Sequence, residues 1–430
     1  MTGIRDVVVI GGGTAGSAAA LQCARRGMDV LLLERGELDA AGASWVNGVA
    51  RSAFSEADVP PPTGEELRGD GAPMHLVAGW DGSRLVLRPD VLEVDMRLLV
   101  QRLQRLAKTA GAELRGGVTV RGWAEDGVLD TSAGPVPARW VIDASGLKSA
   151  GLIERPVVPP EHLCVAAQAV FECTDPEAAE AWFRARGASL GPALVFTGVA
   201  GGFSIVNVRS EGDEVAVLTG SIAGSPHPSG TRLLEGFVDE HTWVGRKVFG
   251  GARAIPLRRP FDRIADDRVA LIGDAASQVF SAHGSGIAAG MVAARMVAEA
   301  LADGGGPRGY EVRWMRAHGG RFAAYDLFRR FSESLTQADL ERLITSGLMD
   351  ATTSSAVVEQ KAPRLTPALV LGKIAGAVRA PAALFKVLPV LLKMRRLGLL
   401  YARYPDDAAA VGAWGARVAE LFGEAAVDDR

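Results

Sequence analysis

Residues 11–16 read Gly-Gly-Gly-Thr-Ala-Gly, which sets Gly11, Gly13 and Gly16 in the spacing Gly-x-Gly-x-x-Gly. They follow a short β-branched run at residues 6–10 and open an Ala-rich stretch that ends near Gly27. A second apolar run at residues 30–33 ends in Glu34 and Arg35. The pattern predicts strand, tight turn, helix and strand, with an acidic residue about 20 positions past the glycines. Gly11 permits the turn, Gly13 lets the backbone approach a pyrophosphate, and Gly16 allows close packing of the helix. The helix start, at Thr14 and Ala15, offers N–H donors and a positive dipole end to phosphates, and Glu34 accepts ribose hydroxyls. A glycine-rich turn without a ligand is the alternative; the flanking strand, helix and acid favour the nucleotide.

A chain of 430 residues suggests two or three units sharing an interface. With 48% hydrophobic and 23% charged residues and a net charge of -3, it reads as a folded globular protein with no charge excess for nucleic acid. Cys23, Cys164 and Cys173 form no C-x-x-C pair, which argues against a disulfide scaffold or a zinc site, and no other cluster has metal-ligand spacing. A reducing cytoplasm is the setting those cysteines suggest, and export by a signal peptide is not expected, because Met1 leads straight into a strand pattern without a signal core.

Residues 37–90 are punctuated by Gly and Pro, and Pro60-Pro61-Pro62 marks an expected excursion from the nucleotide fold. A helix is expected over residues 95–109 and short strands over 118–123, 128–131 and 136–142, closing on Asp143-Ala144-Ser145-Gly146. Residues 157–254 read as strands with one helix near 176–186, a sheet suited to the floor of a substrate pocket. Nucleotide-fold character returns at Val269-Ala270-Leu271-Ile272-Gly273-Asp274, and a small-residue helix comes after it over 285–301. The expected organisation is α/β: a discontinuous nucleotide domain from 1–60, 75–156 and 255–305, an inserted sheet domain at 157–254, and a helical region at 306–430.

Asp274, at the end of an apolar strand, is placed to accept a hydrogen bond from a flavin ribityl hydroxyl, or else caps a turn. The next motif shifts the balance: His283-Gly284-Ser285-Gly286-Ile287 opens a helix whose N–H groups would stabilise an anionic flavin ring. Three ordered motifs, Gly-Gly-Gly-Thr-Ala-Gly with Glu34-Arg35, Ile142-Asp143-Ala144-Ser145-Gly146, and Leu271-Ile272-Gly273-Asp274 with residues 283–287, span roughly residues 5–330. Through them the chain resembles the FAD-dependent oxidoreductases that unite geranylgeranyl reductases, aromatic hydroxylases, flavin-dependent halogenases and lycopene cyclases. The resemblance implies a Rossmann-type FAD-binding domain like that of glutathione reductase and p-hydroxybenzoate hydroxylase. It also implies cofactor contacts at Gly146, Gly273, Asp274, Gly284, Ser285, Gly286 and Ile287.

Departures from the family patterns narrow the choice. Ser145-Gly146 replaces the Asp-Gly pair of the hydroxylases, and the Trp-x-Trp-x-Ile-Pro segment and early lysine of the tryptophan halogenases are absent. Ser44-Trp45-Val46-Asn47-Gly48 stands where several geranylgeranyl reductases carry Cys-Gly, and Ser281 takes a usual proline position. Met96 occupies the place of a pyrophosphate-reaching arginine, with Arg97 as a one-residue substitute. Tyr310 and Trp314 resemble the reductase branch. His283 either exchanges a proton near the flavin or is structural; Trp45 and Asn47 either line the flavin or substrate tunnel or pack.

From Gln360 to Pro405 there is no Asp or Glu, while Lys361, Arg364, Lys373, Arg379, Lys386, Lys393, Arg395, Arg396 and Arg403 alternate with apolar residues. Such a segment, 361–403, either presents a solvated face on helices packed against the core, roofs a lipophilic pocket, or rests on the inner face of a membrane as a peripheral contact. The expected function is an FAD-dependent reductase or dehydrogenase of a lipophilic or aromatic small molecule, reduced by transient NAD(P)H or by a separate electron donor. The alternatives are a flavin monooxygenase and a protein that keeps FAD in a non-redox role.

Overall fold

The computed structural model describes residues 3–224, 226–363 and 366–424, so Arg364 of the basic segment lies outside the described residues. Strands Glu113–Arg115, Val30–Leu33, Arg5–Ile10, Val136–Asp143 and Val269–Leu271 pair in parallel in that order. The N-terminal half of Val136–Asp143 also carries the antiparallel meander Val120–Glu125 and Val128–Thr131. Val7, Val8, Val9, Leu31 and Leu32 are buried, which is why these strands read as unbroken apolar runs rather than alternating ones. The helix Thr14–Ala24 lies between Met96–Thr109 and Ile287–Ala302 and touches both. Its alanines, and Gly290 on the last helix, allow the approach: a Cβ on Gly290 would lie 3.0 Å from that of Ala15.

The second sheet runs Val244–Pro256, Leu163–Cys173, Glu214–Ile222, Ser204–Glu211, Ala193–Thr197, Met74–Ala78 and Arg84–Leu87. Its two last strands correct the expected boundary, which put residues 75–156 with the nucleotide fold. Met74–Ala78 instead pairs in parallel with Ala193–Thr197. Such a partner lies over a hundred residues away, and local sequence carries no mark of it. One face of this sheet packs Phe171, Val206, Val208, Val215 and Val217 against Phe183, Phe237 and Trp243 of the covering elements. The alternate residues look the other way, toward the parallel sheet. A small third sheet, Val46–Ala50, Val91–Asp95 and Leu67–Asp70 with Val91–Asp95 in the middle, touches the helices Met96–Thr109 and Ile287–Ala302.

Among the described residues from Gly306 onward the chain is helical, through Gly306–Trp314, Gly320–Ser332, Gln337–Ser346, Ala351–Val358, Pro367–Arg379, Pro381–Tyr401 and Val411–Phe422. The long helix Pro381–Tyr401 crosses Gly320–Ser332 where two glycines meet, a Cβ on Gly320 falling 3.1 Å from the Cα of Gly398.

Candidate functional site

Between the parallel sheet and the second sheet lies a cavity of about 560 Å³. At one end it meets the helix Thr14–Ala24, whose start has no side-chain cap, leaving first-turn N–H groups for a ligand. Gly11 sits at φ +101°, and a Cβ there would lie 2.5 Å from the Ala144 carbonyl oxygen. Gly13, Thr14 and Ala15 line the cavity, whereas Gly16 lies behind them, tight against Gly11. Glu34 accepts from the Gly12 N–H at 2.7 Å and the Gly36 N–H at 3.0 Å, which fixes its carboxylate at the cavity rim beside Arg35.

The opposite strand end is held by Asp143. Buried, it accepts from Ser145 N and Oγ, from Ser149 Oγ and from Ala150 N at 2.5–2.9 Å, and so shapes the loop that presents Gly146. The Gly273 N–H donates to Gln278 Oε1 at 2.8 Å, Gln278 Nε2 donates to the Tyr310 hydroxyl at 2.7 Å, and that hydroxyl donates to the Leu271 carbonyl at 3.1 Å. Tyr310 therefore braces the loop from the core, and Trp314 packs beyond it against Phe322. Burial pushes the Asp274 carboxyl up to about 6, with Arg253 acting in the opposite direction.

His283, Gly284, Ser285, Gly286 and Ile287 border the same cavity. A Cβ on Gly286 would meet Asp274 Oδ1 at 3.2 Å, so the two loops touch. Burial pushes His283 down to about 4, against smaller contributions from its own backbone and the Val358 backbone, and its Nε2 has no protein partner. It is a neutral imidazole at physiological pH. Trp45 and Asn47 line the cavity where Val46–Ala50 begins, and Trp45 is almost fully buried.

The floor comes from the second sheet, where Cys164, Ala166, Ile205, Leu218 and Ile255 present an apolar wall. Gln168 interrupts it: the residue is 7% exposed and its Oε1 has no hydrogen-bond partner. Arg253 also stands on this wall and donates to the Gly42 carbonyl across the cavity mouth. Neither residue was singled out by the sequence, although one amide within the apolar run Leu163–Cys173 is a signal. Arg97, by contrast, does not reach the cavity. It pairs with Asp95 and stacks on Phe249 at 4.0 Å, while Met96 is fully buried.

The sequence pattern of the FAD dependent oxidoreductases matches residues 6–61. Digeranylgeranylglycerophospholipid reductase 2 of Methanothermobacter thermautotrophicus is 29% identical over 79% of this chain and 91% of its own length. The digeranylgeranylglycerophospholipid reductase of Sulfolobus acidocaldarius is 24% identical over 97% of both chains. In fold, the chain matches a geranylgeranyl bacteriochlorophyll reductase-like protein of Thermoplasma acidophilum with a TM-score of 0.71 at 18% identity, covering 90% of this chain and 99% of that one. The halogenase PltM, solved with phloroglucinol and FAD, matches with a TM-score of 0.62 at 14% identity over 97% and 95% of the two chains. With the glycine loop, the acid and the two strand-end loops gathered on one cavity, the chain is an FAD-dependent oxidoreductase, similar in sequence to the digeranylgeranylglycerophospholipid reductases and in fold to a geranylgeranyl reductase-like protein and a halogenase.

Proposed function

We propose that the enzyme is a reductase of a lipophilic, unsaturated small molecule of the prenyl-chain kind. The observation that carries this reading is the apolar wall of Cys164, Ala166, Ile205, Leu218 and Ile255 facing the loop 283–287, a surface that desolvates a hydrocarbon. The reductases named among the relatives act on digeranylgeranylglycerophospholipid, a molecule of this class.

The residues present fit FAD: an uncapped helix start, a glycine turn that no Cβ would tolerate, and strand-end carboxylates at both sides of one cavity. Gly11, Gly13, Thr14 and Ala15 would hold the pyrophosphate, with Gly16 giving the helix its approach. Glu34, beside Arg35, would take the adenosine ribose, Asp274 the ribityl chain, and Gly146 and Gly273 the adjoining edges. Gly284, Ser285, Gly286 and Ile287 open the helix Ile287–Ala302 toward the ring end. Bound there, FAD supplies hydride transfer, with NAD(P)H visiting transiently or a separate protein as the electron source. Neutral His283, with its free Nε2, and Trp45 with Asn47 would border the reacting end and exclude water.

The reading is tested by mixing the reduced enzyme with a geranylgeranyl lipid in the absence of oxygen and analysing the product by mass. A product carrying two added hydrogens is expected. A requirement for oxygen, with one oxygen atom in the product, would instead make the enzyme a monooxygenase. Gln168 supplies a second check. If its free amide meets the polar end of the substrate, Gln168→Leu should raise KM about 3- to 10-fold with little change in kcat, the worth of one net hydrogen bond. An unchanged KM would leave that amide without a part in substrate binding.

A further inference from the structure

Thirteen large apolar side chains are well exposed among the described residues, and nine of them fall between Val370 and Leu399. That concentration separates them from ordinary scattered surface residues. The helix Pro381–Tyr401 is apolar on two sides. Ala383, Val387, Val390, Met394, Leu397 and Tyr401 pack inward, with Leu397 and Tyr401 fully buried. Phe385, Leu388, Leu392 and Leu399 form a second line along the outside, Phe385 being 75% exposed. The preceding helix, Pro367–Arg379, adds Leu371, Ile374 and Val378 at one-turn spacing, Val378 being 78% exposed.

The charges beside these lines have one sign. Lys361, Lys373 and Lys386 are engaged by Glu359, Asp350 and Asp339. Among the described residues Arg379, Lys393, Arg395, Arg396 and Arg403 have no ion pair, and residues 360–405 contain no carboxylate with which to make one. A second copy of the chain laid on this face would oppose cation to cation. An anionic lipid surface satisfies both features, because the apolar line enters the acyl boundary and the cations meet the headgroups. The strip also begins at the site: Gln360, which precedes it, is buried and donates from Nε2 to the Ser285 carbonyl at 3.3 Å.

We infer that Pro367–Arg379 and Pro381–Tyr401 form a docking face for an anionic lipid surface, which sets the cavity where a lipophilic substrate resides. The inference deepens the proposed function and rests on it. The flavin-loaded full chain is sedimented with vesicles of phosphatidylcholine alone or mixed with phosphatidylglycerol. Binding to the anionic vesicles is expected, weakened about 30-fold by Arg395→Gln with Arg396→Gln and abolished by Phe385→Ser with Leu392→Ser. Equal sedimentation with neutral vesicles, binding untouched by either pair, or dimerisation that Phe385→Ser with Leu392→Ser removes would overturn the docking face. Anaerobic reduction of detergent-dispersed substrate reads the function separately. Reduction without vesicle binding sinks only the docking, and vesicle binding without reduction sinks only the proposed reaction.

Discussion

Gly16→Ala is expected to give a protein that purifies without flavin and unfolds at a lower temperature. The added Cβ would lie 1.9 Å from the Gly11 carbonyl oxygen and 3.2 Å from the Ala144 Cβ. The nearer of these is backbone, so no rotamer relieves the clash, and the helix Thr14–Ala24 must move away from the turn that faces the cavity. Overpacking of this kind costs about 1–3 kcal/mol even where side chains can yield, and here the displaced part is the phosphate-facing loop itself. The measurement is flavin released on denaturation per mole of chain, with Tm beside it. Gly236→Ala is the control: it lies within the helix Gly230–Glu240, a Cβ there meets nothing within 4 Å, and helix propensity should make it neutral to slightly stabilising. Full flavin content and an unchanged Tm in Gly16→Ala would remove the close approach as the reason for that glycine.

Asp326→Ala should destabilise the chain by about 3–5 kcal/mol in urea unfolding at neutral pH, the cost of breaking a buried ion pair from one side. Asp326 is fully buried and accepts from Arg329 Nη2 at 2.9 Å, from Arg330 Nη2 at 3.1 Å and from the Arg259 N–H at 2.8 Å. Burial alone would raise its carboxyl, but the two guanidinium groups and these hydrogen bonds outweigh it and hold the group below the usual aspartate range. A carboxyl lowered by folding contributes its full stability above the unfolded value, about 4, and loses it as the pH falls through the folded one. The gap between native and variant should therefore be widest near neutrality and close in acid. A gap that stayed constant down to the acid limit would show that the carboxylate charge is not what holds the cluster. The same cluster takes in Glu424, which pairs with Arg330 at 2.7 Å, so Glu424→Ala should reproduce part of the loss in the same urea unfolding measurement.

How much of the molecule was legible in the sequence depends on how far each signal reaches along the chain. The glycine turn, Glu34 and the strand-end motifs are local, each a few residues whose spacing fixes the backbone, and all of them meet at the cavity. The strands Met74–Ala78 and Arg84–Leu87 belong to the second sheet because Met74–Ala78 pairs with Ala193–Thr197 and carries its hairpin partner Arg84–Leu87 with it, and pairing at that distance leaves no local periodicity. Gln168 carries no local signal of its place because its meaning depends on the apolar Leu218, which the adjacent strand sets directly opposite it. Arg97 looked like a phosphate ligand displaced by one position, but one position on a helix is about 100° of rotation, enough to turn it onto Asp95 and Phe249. The basic segment read as amphipathic, yet its second apolar side became visible only once Gly320–Ser332 had taken up the first.

The order of strands in the parallel sheet also sets a timetable for synthesis. Val269–Leu271 joins Val136–Asp143 only after the whole inserted sheet has been made, and the loop 283–287 comes later still. A nascent chain that has just emerged as far as Gly146 owns its glycine turn and its acid but neither Asp274 nor the opposing wall. Domains tend to form as units as they leave the ribosome, but this one cannot close when its first half appears. Capture of the cofactor is therefore expected to be a late step, taken after about two thirds of the chain is out, and a ribosome stalled before residue 269 should carry a partly formed sheet with no lasting grip on flavin.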